Sequence, residues 1–310
     1  MKGLELSRRY YEEQGKPMLE REFPQLLPYI AVGFVGSGSD RYGFDDEVSQ
    51  DHDFEPGFCI FLPGENIVDR RSEFLLERAY AKLPKEYMGY ERQPLSPVGG
   101  NRNGVIRTAD FYLKAVGAPD GKLSDDAWLH IPDYALAEAV NGEVFYDAYG
   151  EFSAIRAALS EMPRDIRLKR LAGNLLIMAQ SGQYNFPRCI KHGEAEAAQL
   201  ACSEFTTAAM KALFLLRGKY LPYYKWSFRA LRALDSEQRY SERLSFLLCG
   251  AGSAEEKQAV IEGISADIIP ELQAQGISKA SGGELERHAY SVNDCISDGA
   301  LRNLHILTAI

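Results

Sequence analysis

The spacing of apolar residues along the chain changes near residue 150. Before that point, short apolar runs between polar and glycine-rich segments predict buried strands, and apolar residues at every third or fourth position predict helices. The predicted strands are residues 29–35, 58–62, the first part of 104–116, and 142–150. The predicted helices are residues 4–22, 66–83 and 127–140. The first half is therefore predicted to be an α/β domain.

After residue 150, alanine and leucine dominate at helical spacing, and candidate strands nearly disappear. The predicted helices of this half are residues 153–161, 164–181, 188–217, 225–234, 239–249, 255–275 and 284–308. Strands and helices that are segregated along a chain are typical of an α+β protein. We predict two domains, at residues 1–150 and 151–310, which pack against each other. The apolar-striped C-terminal helix is expected to lie in the core or to form a homodimer face.

The composition is that of an ordinary globular protein. The chain has 310 residues, of which 45% are hydrophobic and 25% are charged. Its five scattered cysteines include no Cys-x-x-Cys pair, so neither a disulfide framework nor a zinc ribbon is expected. The charged N-terminal segment does not resemble a signal peptide, and no apolar run reaches the roughly 18 residues of a membrane span. These features predict a cytoplasmic protein without a membrane partner.

The most informative stretch is the glycine-rich loop after the first predicted strand. Gly36-Ser37-Gly38-Ser39 can offer backbone N–H groups and hydroxyls to phosphate oxygens. Asp51 and Asp53 follow, and in an extended segment their carboxylates share one face while His52 lies on the other. Two close carboxylates repel each other unless a cation lies between them, and Mg²⁺ suits such ligands together with substrate phosphates.

Each motif alone is weak evidence, because glycine–serine loops and Asp-x-Asp sequences also occur by chance at protein surfaces. Here the glycine–serine loop and the Asp-x-Asp sequence follow one predicted strand and precede another. Together they provide the phosphate-binding groups and metal ligands that phosphoryl or nucleotidyl transfer requires. The string GSGSDRYGFDDEVSQDHDF, together with YYKW at residues 223–226, resembles the polymerase-β-type nucleotidyltransferase superfamily, which includes the aminoglycoside and lincosamide nucleotidyltransferases. The similarity is greatest to a bacterial family of nucleotidyltransferase-like proteins with a helical C-terminal domain.

The resemblance implies an α+β fold in which a nucleotidyltransferase-like α/β domain with a small mixed sheet precedes an all-α helical bundle. It implies that Gly36 and Ser37 hold the β- and γ-phosphates of a nucleoside triphosphate, with Gly38 and Ser39 in the same nucleotide-binding loop, and that Asp51 and Asp53 bind one or two Mg²⁺ ions. An acceptor hydroxyl would then attack the α-phosphate and release pyrophosphate. The expected partners are ATP or another nucleoside triphosphate and a small-molecule acceptor bound between the halves.

The sequence departs from the family pattern in two places. Gln50 separates Ser49 from Asp51, and the spacer is longer than usual, which leaves the roles of Asp45, Asp46 and Glu47 open. Active members also carry a third carboxylate on a later strand, as a metal ligand or as the base for the acceptor hydroxyl. The candidates are Glu91, Asp110 and Asp147, of which we select Asp110 because it follows the strand-like GVIRT segment. A helix cap or a surface charge explains Asp110 equally well.

Charge is distributed unevenly. Residues 1–150 hold 16 basic and 26 acidic side chains, whereas residues 164–243 hold 14 basic and 7 acidic ones. We interpret Arg188, Lys191 and Lys225 as phosphate partners, with Tyr223, Tyr224 or Trp226 stacking on the base. The alternative is that the aromatic rings pack the domain seam while the basic groups are solvated. The overall net charge of −9 argues against a nucleic-acid partner.

Other chemistries find less support. The chain lacks Gly-x-Ser-x-Gly and the P-loop pattern, and the glycines after the first strand do not complete a Rossmann motif.

We therefore predict a Mg²⁺-dependent nucleotidyltransferase that moves AMP from ATP to a hydroxyl. The alternative is a nucleotide-binding protein with weak turnover, or one that modifies another protein.

Overall fold

The structure is a computed structural model that describes residues 1–51, 54–92, 102–235 and 237–310, and only the backbone of Gln50 and Asp51. Within these residues it is a mixed α+β protein. Two compact units make up the chain: the first unit is residues 1–123 with 135–161, and the second unit is residues 124–134 with 162–310. The domain boundary near residue 150 stays a prediction. Among the described helices, none has the length and apolar character that a membrane span needs.

The elements up to residue 161 are α1 (Gly3–Tyr10), α2 (Lys16–Glu22), β1 (Ala31–Phe34), β2 (Cys59–Leu62), α3 (Arg70–Ala81), β3 (Glu86–Tyr87), β4 (Tyr90–Glu91), β5 (Gly104–Arg107), α4 (Thr108–Val116), α5 (Asp125–His130), α6 (Asp133–Val140), β6 (Glu143–Asp147) and α7 (Glu151–Ser160). The later elements are α8 (Arg164–Met178), α9 (Phe186–His192), α10 (Ala195–Leu216), α11 (Tyr224–Leu234), α12 (Ser241–Cys249), α13 (Ala254–Ala274), α14 (Leu285–Asp294) and α15 (Gly299–Asn303).

The predicted strands and most predicted helices are confirmed, and the differences have local causes. The predicted helix over 284–308 is wrong, because the chain leaves the helix after Asp294 and Asp298 starts a new one by accepting a hydrogen bond from the N–H of Leu301. The single helix predicted over 188–217 is two helices, α9 and α10. The hairpin of β3 and β4 was not predicted, since each of its strands has only two residues.

The main sheet, in the described residues, has the strand order β5-β2-β1-β6. β1 is antiparallel to β2 and β6, whereas β2 is parallel to β5. The register pairs Gly33 with Cys59, Cys59 with Gly104, and Phe34 with Glu143. The end of β1 and the beginnings of β2, β5 and β6 therefore meet at one edge of the sheet. We call this the loop edge, because the Gly36–Ser39 loop leaves β1 there.

Helices α1 and α2 cover the sheet through an aromatic core. A π-helical turn, Tyr11–Gly15, joins them. The rings of Tyr10 and Tyr11 lie 5.9 and 5.4 Å from that of Phe58, just before β2. A side-chain carbon at Gly15 would lie 2.3 Å from the Phe58 ring, so this packing requires glycine. The wide π-helical turn and the glycine together let the helices lie close to the start of β2.

The second unit is built around α8, which packs against α10 and α14. Residues 124–134 belong to this unit through a buried ion pair. The Arg170 guanidinium donates to Asp133 Oδ1 at 3.0 Å and to the carbonyl oxygen of Trp128 at 3.2 Å. The side chains of Arg170 and Asp133 are only 7% and 9% exposed. An early segment of the chain is thereby fixed to a helix that begins thirty residues later.

We expect Arg170→Met to lower the free energy of unfolding by about 3–5 kcal/mol, because it leaves the Asp133 carboxylate buried without its nearest cation. The double variant Arg170→Met/Asp133→Leu removes both charges, and its free energy of unfolding is expected to fall by less. Urea unfolding of the two variants and the wild type measures the difference. A double variant less stable than Arg170→Met would show that the ion pair is not what fixes residues 124–134.

Candidate functional site

The Gly36–Ser39 loop begins where β1 ends. Gly36 has φ +102°, a conformation that other residues rarely adopt, and it turns the chain away from the sheet. Its N–H donates to Asn141 Oδ1 at 2.8 Å, and its carbonyl oxygen accepts from Asn141 Nδ2 at 2.7 Å. Ser37 is exposed, whereas Gly36 is buried. The loop is thus held firmly at its first residue and opens to solvent at its second.

Arg41 anchors the other end of the loop from inside the protein. Its side chain is 1% exposed and makes an ion pair of 2.6 Å with Asp40. The guanidinium also donates to the carbonyl oxygens of Val35 at 3.3 Å and Arg102 at 3.2 Å, and to Asn103 Oδ1 at 2.8 Å. It lies 3.9 Å from the centre of the Phe34 ring. One buried cation therefore joins the end of β1, the loop and the segment that leads into β5.

Arg102 adds a second cation beside the loop. Its Nη2 donates to Asp40 Oδ1 and to the carbonyl oxygen of Ser37, both at 3.0 Å. Its side chain is 23% exposed, whereas the Asp40 side chain is 7% exposed. Arg41 and Arg102 thus share one buried carboxylate, which holds both guanidinium groups beside the loop that was predicted to bind phosphate.

The loop also has backbone donors to offer. Within the described part of the chain, the N–H groups of Ser37, Gly38 and Ser39 donate to no protein acceptor, and the hydroxyls of Ser37 and Ser39 make no hydrogen bond. The carbonyl oxygens of Gly38 and Ser39 accept from Arg41 and Phe44, which closes the loop on its inner side. Successive N–H groups of this kind form the usual backbone site for an anion.

The structure describes little of the predicted carboxylate pair. Asp51 ends a short 3-10 helix, Val48–Asp51, and its side chain is not described. His52 and Asp53 lie outside the described residues. The chain continues at Phe54, whose ring is 3.3 Å from the position of a side-chain carbon on Gly3; Asp40 borders the same position. The segment that follows Asp53 therefore runs beside Asp40, at the loop edge.

The neighbouring carboxylates have local structural roles. The N–H of Gly3 donates to Asp45 Oδ2 at 2.9 Å, so the buried Asp45 stabilises the start of α1. Asp46 Oδ1 accepts from the N–H and the hydroxyl of Ser49 at 3.0 and 2.9 Å, which shapes the turn before Asp51. Glu47 is exposed.

Within the described residues, none of the three candidates for a third carboxylate makes a hydrogen bond or ion pair with the loop, although the Phe111 ring, next to Asp110, lies 3.5 Å from the position of a side-chain carbon on Gly36. β5 contains no carboxylate, and Asp110 is exposed in the first turn of α4, after the end of β5 that is farther from the loop edge. Asp147 pairs with Ala31, also at the far edge, and accepts from the N–H groups of Gly150 and Ser153 at the start of α7. Glu91 is exposed in β4. The catalytic role of Asp110 stays a prediction.

The thiol at the loop edge is buried and has a raised pKa. Cys59 begins β2 and its Sγ lies 3.3 Å from the carbonyl oxygen of Arg102, to which it donates. Burial raises the pKa of the Cys59 thiol to about 11. A thiol with that pKa is ionised to only about one part in a thousand at pH 8.

Alkylation tests this conclusion. In the native protein at pH 8 we expect iodoacetamide to modify Cys249, which is exposed, and to leave Cys59 unmodified. Cys59 should react only after denaturation, because both burial and its raised pKa protect it. Peptide mass spectrometry of the native and denatured protein gives the comparison. Equal modification of the two cysteines in the native protein would contradict this structure of the loop edge.

The basic residues that were predicted to contact the phosphates all lie in the second unit. Arg188 and Lys191 are exposed on α9, and Lys225 is exposed in the first turn of α11. The Arg188 guanidinium lies 5.0 Å from the centre of the Tyr184 ring. Because the loop belongs to the first unit, their role in phosphate binding stays a prediction.

Part of the basic excess over residues 164–243 is neutralised within the second unit. The pairing acids lie outside that window of sequence. Arg170 pairs with Asp133, Arg217 pairs with Glu271 at 2.6 Å, and Arg243 pairs with Asp267 at 2.6 Å. Lys169 is fully buried and donates to Asn293 Oδ1 at 2.9 Å and to the carbonyl oxygen of Leu304 at 2.6 Å. The charge count along the sequence therefore overstates the positive potential of this unit.

Comparison with known proteins gives one match. A family model described as "Domain of unknown function (DUF4037)" matches residues 128–227. This segment includes α8, α9 and α10 and lies outside the Gly36–Ser39 loop. No curated protein and no solved structure matches the chain. The match therefore adds no function to the geometry of the loop edge.

Sequence reasoning missed three residues of the site: Asn141, Arg102 and Arg41. The Asn141-Gly142 pair before a predicted strand is a typical turn sequence and was the one available signal for Asn141. Nothing in the pattern around Arg102 distinguishes it from an ordinary surface arginine. Arg41 lies within the loop motif, but a charged residue is expected to be exposed unless it is paired.

We expect Arg41→Lys to lower the free energy of unfolding by about 1–3 kcal/mol, because one ammonium group cannot replace the planar guanidinium that reaches four acceptors. The matched control is Arg21→Lys, since Arg21 pairs with Glu22 at 2.6 Å on the surface. That control should stay within about 0.5 kcal/mol of the wild type. Denaturant titration of the three proteins gives the result, and similar stabilities of the two variants would contradict the role of Arg41.

Proposed function

We propose that the protein is a nucleotidyltransferase that binds the triphosphate of a nucleotide at the Gly36–Ser39 loop and transfers the nucleoside monophosphate to a hydroxyl of a small molecule. The observation that carries this proposal is the loop. Its three successive N–H groups lack acceptors among the described residues, and they lie beside the guanidinium groups of Arg41 and Arg102, which are joined through Asp40. Backbone donors and a guanidinium are the groups that bind phosphate oxygens best.

In the proposed transfer, the acceptor oxygen bonds to the α-phosphorus and the bond from that phosphorus to the bridging oxygen breaks. Pyrophosphate leaves, and the proton of the hydroxyl passes to a base. The loop contributes by fixing the β- and γ-phosphates, so that the leaving group is oriented and its charge is stabilised. Arg102 lies near enough to the loop to help stabilise the negative charge of the leaving pyrophosphate, because its guanidinium donates to the carbonyl oxygen of Ser37.

Mg²⁺ is the proposed metal, with Asp51 and Asp53 as its ligands. Carboxylate oxygens suit this ion, which supplies charge neutralisation when it is bound together with a triphosphate. In the described part of the chain, no group of three His, Cys, Asp or Glu side chains could hold a metal ion. The assignment therefore depends on the residue types of Asp51 and Asp53 and on their place in the sequence between the glycine-rich loop and β2.

A second function is favoured by the absence of a carboxylate from β5 and by the place of Asp147, which pairs with Ala31 at the far edge of the sheet. A site with phosphate donors but no base for the acceptor hydroxyl would bind a nucleotide without rapid turnover. The protein would then be a nucleotide-binding regulator. A third outcome, in which the acceptor is a hydroxyl of another protein, uses the same loop.

Titration calorimetry and radiolabelled ATP test the proposal. We expect the wild type to bind ATP more tightly with Mg²⁺ and to release pyrophosphate in the presence of a suitable acceptor. We expect Asp51→Ala/Asp53→Ala to lose at least about 100-fold in turnover, because the charge on the phosphates is no longer neutralised. The matched control is Asp125→Ala/Asp126→Ala, which removes the same charge from two exposed residues of α5.

The outcomes separate the three functions. Equal turnover in the Asp51→Ala/Asp53→Ala variant and the control variant contradicts the assignment of the two aspartates. Metal-dependent binding without pyrophosphate release favours the nucleotide-binding regulator. Label transferred to a protein in a lysate identifies a protein acceptor. No binding of ATP at millimolar concentration, with or without Mg²⁺, contradicts the proposed function.

A further inference from the structure

Asn141 lies in the turn between α6 and β6, and its side chain reaches across the end of the sheet to the loop. Its amide oxygen accepts from the N–H of Gly36 at 2.8 Å and its amide nitrogen donates to the carbonyl oxygen of the same residue at 2.7 Å. A residue in an antiparallel ladder is paired in this way by the residue opposite it. Here a side chain takes the place of the second strand.

The position of this clamp follows from where the ladder ends. The last register pair of β1 and β6 is Phe34 with Glu143, so Gly36 lies beyond the backbone pairing. Asn141 extends the pairing to Gly36, where the chain turns with φ +102°. The residue that sets the direction of the loop is therefore fixed by two hydrogen bonds from one side chain.

Asn141 is itself held in place. Arg156 of α7 donates to the carbonyl oxygens of Asn141 at 2.5 Å and Gly142 at 3.0 Å. A side-chain carbon on Gly142 would lie 2.0 Å from the carbonyl oxygen of Phe34, so the turn packs directly on the end of β1. These contacts fix the Asn141 backbone relative to β1, and so they determine where its side chain meets the loop.

The clamp also decides which groups remain for a ligand. Because the N–H of Gly36 donates to Asn141, it is not available to a phosphate, although the sequence predicted a phosphate role for Gly36. The next three N–H groups, of Ser37, Gly38 and Ser39, have no acceptor in the described residues. Their arrangement depends on the direction in which the chain leaves Gly36.

We propose that Asn141 is the positioning residue of a phosphate-binding loop, and that the triphosphate of a nucleotide binds to the N–H groups of Ser37, Gly38 and Ser39 and not to that of Gly36. This inference rests on the proposed function for its ligand. Asn141 does not touch the ligand. It acts by holding Gly36 so that the three donors are already arranged before the nucleotide arrives, which reduces the cost of ordering the loop on binding.

The test compares Asn141→Ala and Asn141→Asp with a matched control, Tyr146→Phe. The control removes one hydrogen bond from β6, between the Tyr146 hydroxyl and the carbonyl oxygen of Leu27 at 2.9 Å, and leaves the loop untouched. We expect Asn141→Ala to weaken ATP·Mg²⁺ binding by about 10- to 100-fold, because the loop is then ordered only when the nucleotide binds. The Tyr146→Phe variant should bind ATP·Mg²⁺ as the wild type does.

Hydrogen exchange provides a readout that does not depend on ATP. The Gly36 amide should exchange faster in Asn141→Ala than in the wild type. It should stay protected in Asn141→Asp, which keeps the acceptor oxygen but loses the donor to the Gly36 carbonyl. The new carboxylate also repels phosphate, so the affinity of Asn141→Asp is measured at low and high salt, because salt screens repulsion but does not restore the lost hydrogen bond. This variant tests the inference if Asn141→Ala does not fold.

Failure of the inference and failure of the proposed function give different results. If the wild type binds ATP and the folded Asn141 variants bind it equally tightly, the role of Asn141 is overturned while the nucleotide site stands. If all the variants, including Tyr146→Phe, lose affinity together, the effect is one of general stability and the positioning role is overturned. If the wild type binds no ATP, the proposed function fails and the ligand of this inference fails with it.

Discussion

The arrangement of the loop edge depends on the buried guanidinium of Arg41. Removing a charge from water is costly, and the cost is recovered only when nearly every donor finds an acceptor. Arg41 meets this condition by collecting acceptors from three segments that are distant in sequence: Val35 at the end of β1, Asp40 in the loop, and the backbone and side chain of residues 102–103 before β5. The need of the Arg41 guanidinium for hydrogen-bond acceptors therefore fixes the relative positions of the end of β1, the loop and the segment before β5.

Asp40 has to satisfy two cations, and this shapes the electrostatics of the loop. Arg41 and Asp40 form a buried ion pair, and Arg102 adds a second, partly exposed guanidinium to the same carboxylate. The Arg102 guanidinium also donates to the Ser37 carbonyl oxygen, whereas the N–H groups of Ser37, Gly38 and Ser39 donate to no acceptor among the described residues. The hydrogen bonds that stabilise the loop thus also hold the groups to which the proposed function assigns phosphate binding.

The sequence predicted the strands of the main sheet because each is a short apolar run with clear ends, and it predicted the loop because glycine and serine follow β1 directly. It did not predict what holds the loop. The partners of Gly36 and Asp40 are Asn141 and Arg102, which are more than sixty residues away, and no local pattern marks a long-range hydrogen bond. The sequence analysis did not predict the helix breaks near Gly193 and Asp298, because the apolar spacing continues across both. Only the local caps, a left-handed Gly193 and the side chain of Asp298, end one helix and begin the next.

The second unit shows why a count of charged residues along the sequence differs from the electrostatic potential of the folded protein. The excess over residues 164–243 suggested a surface for a triphosphate, yet Arg170, Arg217 and Arg243 are matched by acids that fold back from outside that window. The loop edge of the first unit shows the reverse case. There the sequence is strongly acidic overall, but folding gathers two arginines around one aspartate beside the glycines. Because an anion responds mainly to groups within a few ångströms, the two guanidinium groups beside the loop support the proposed phosphate site more than the count of basic residues in the helices does.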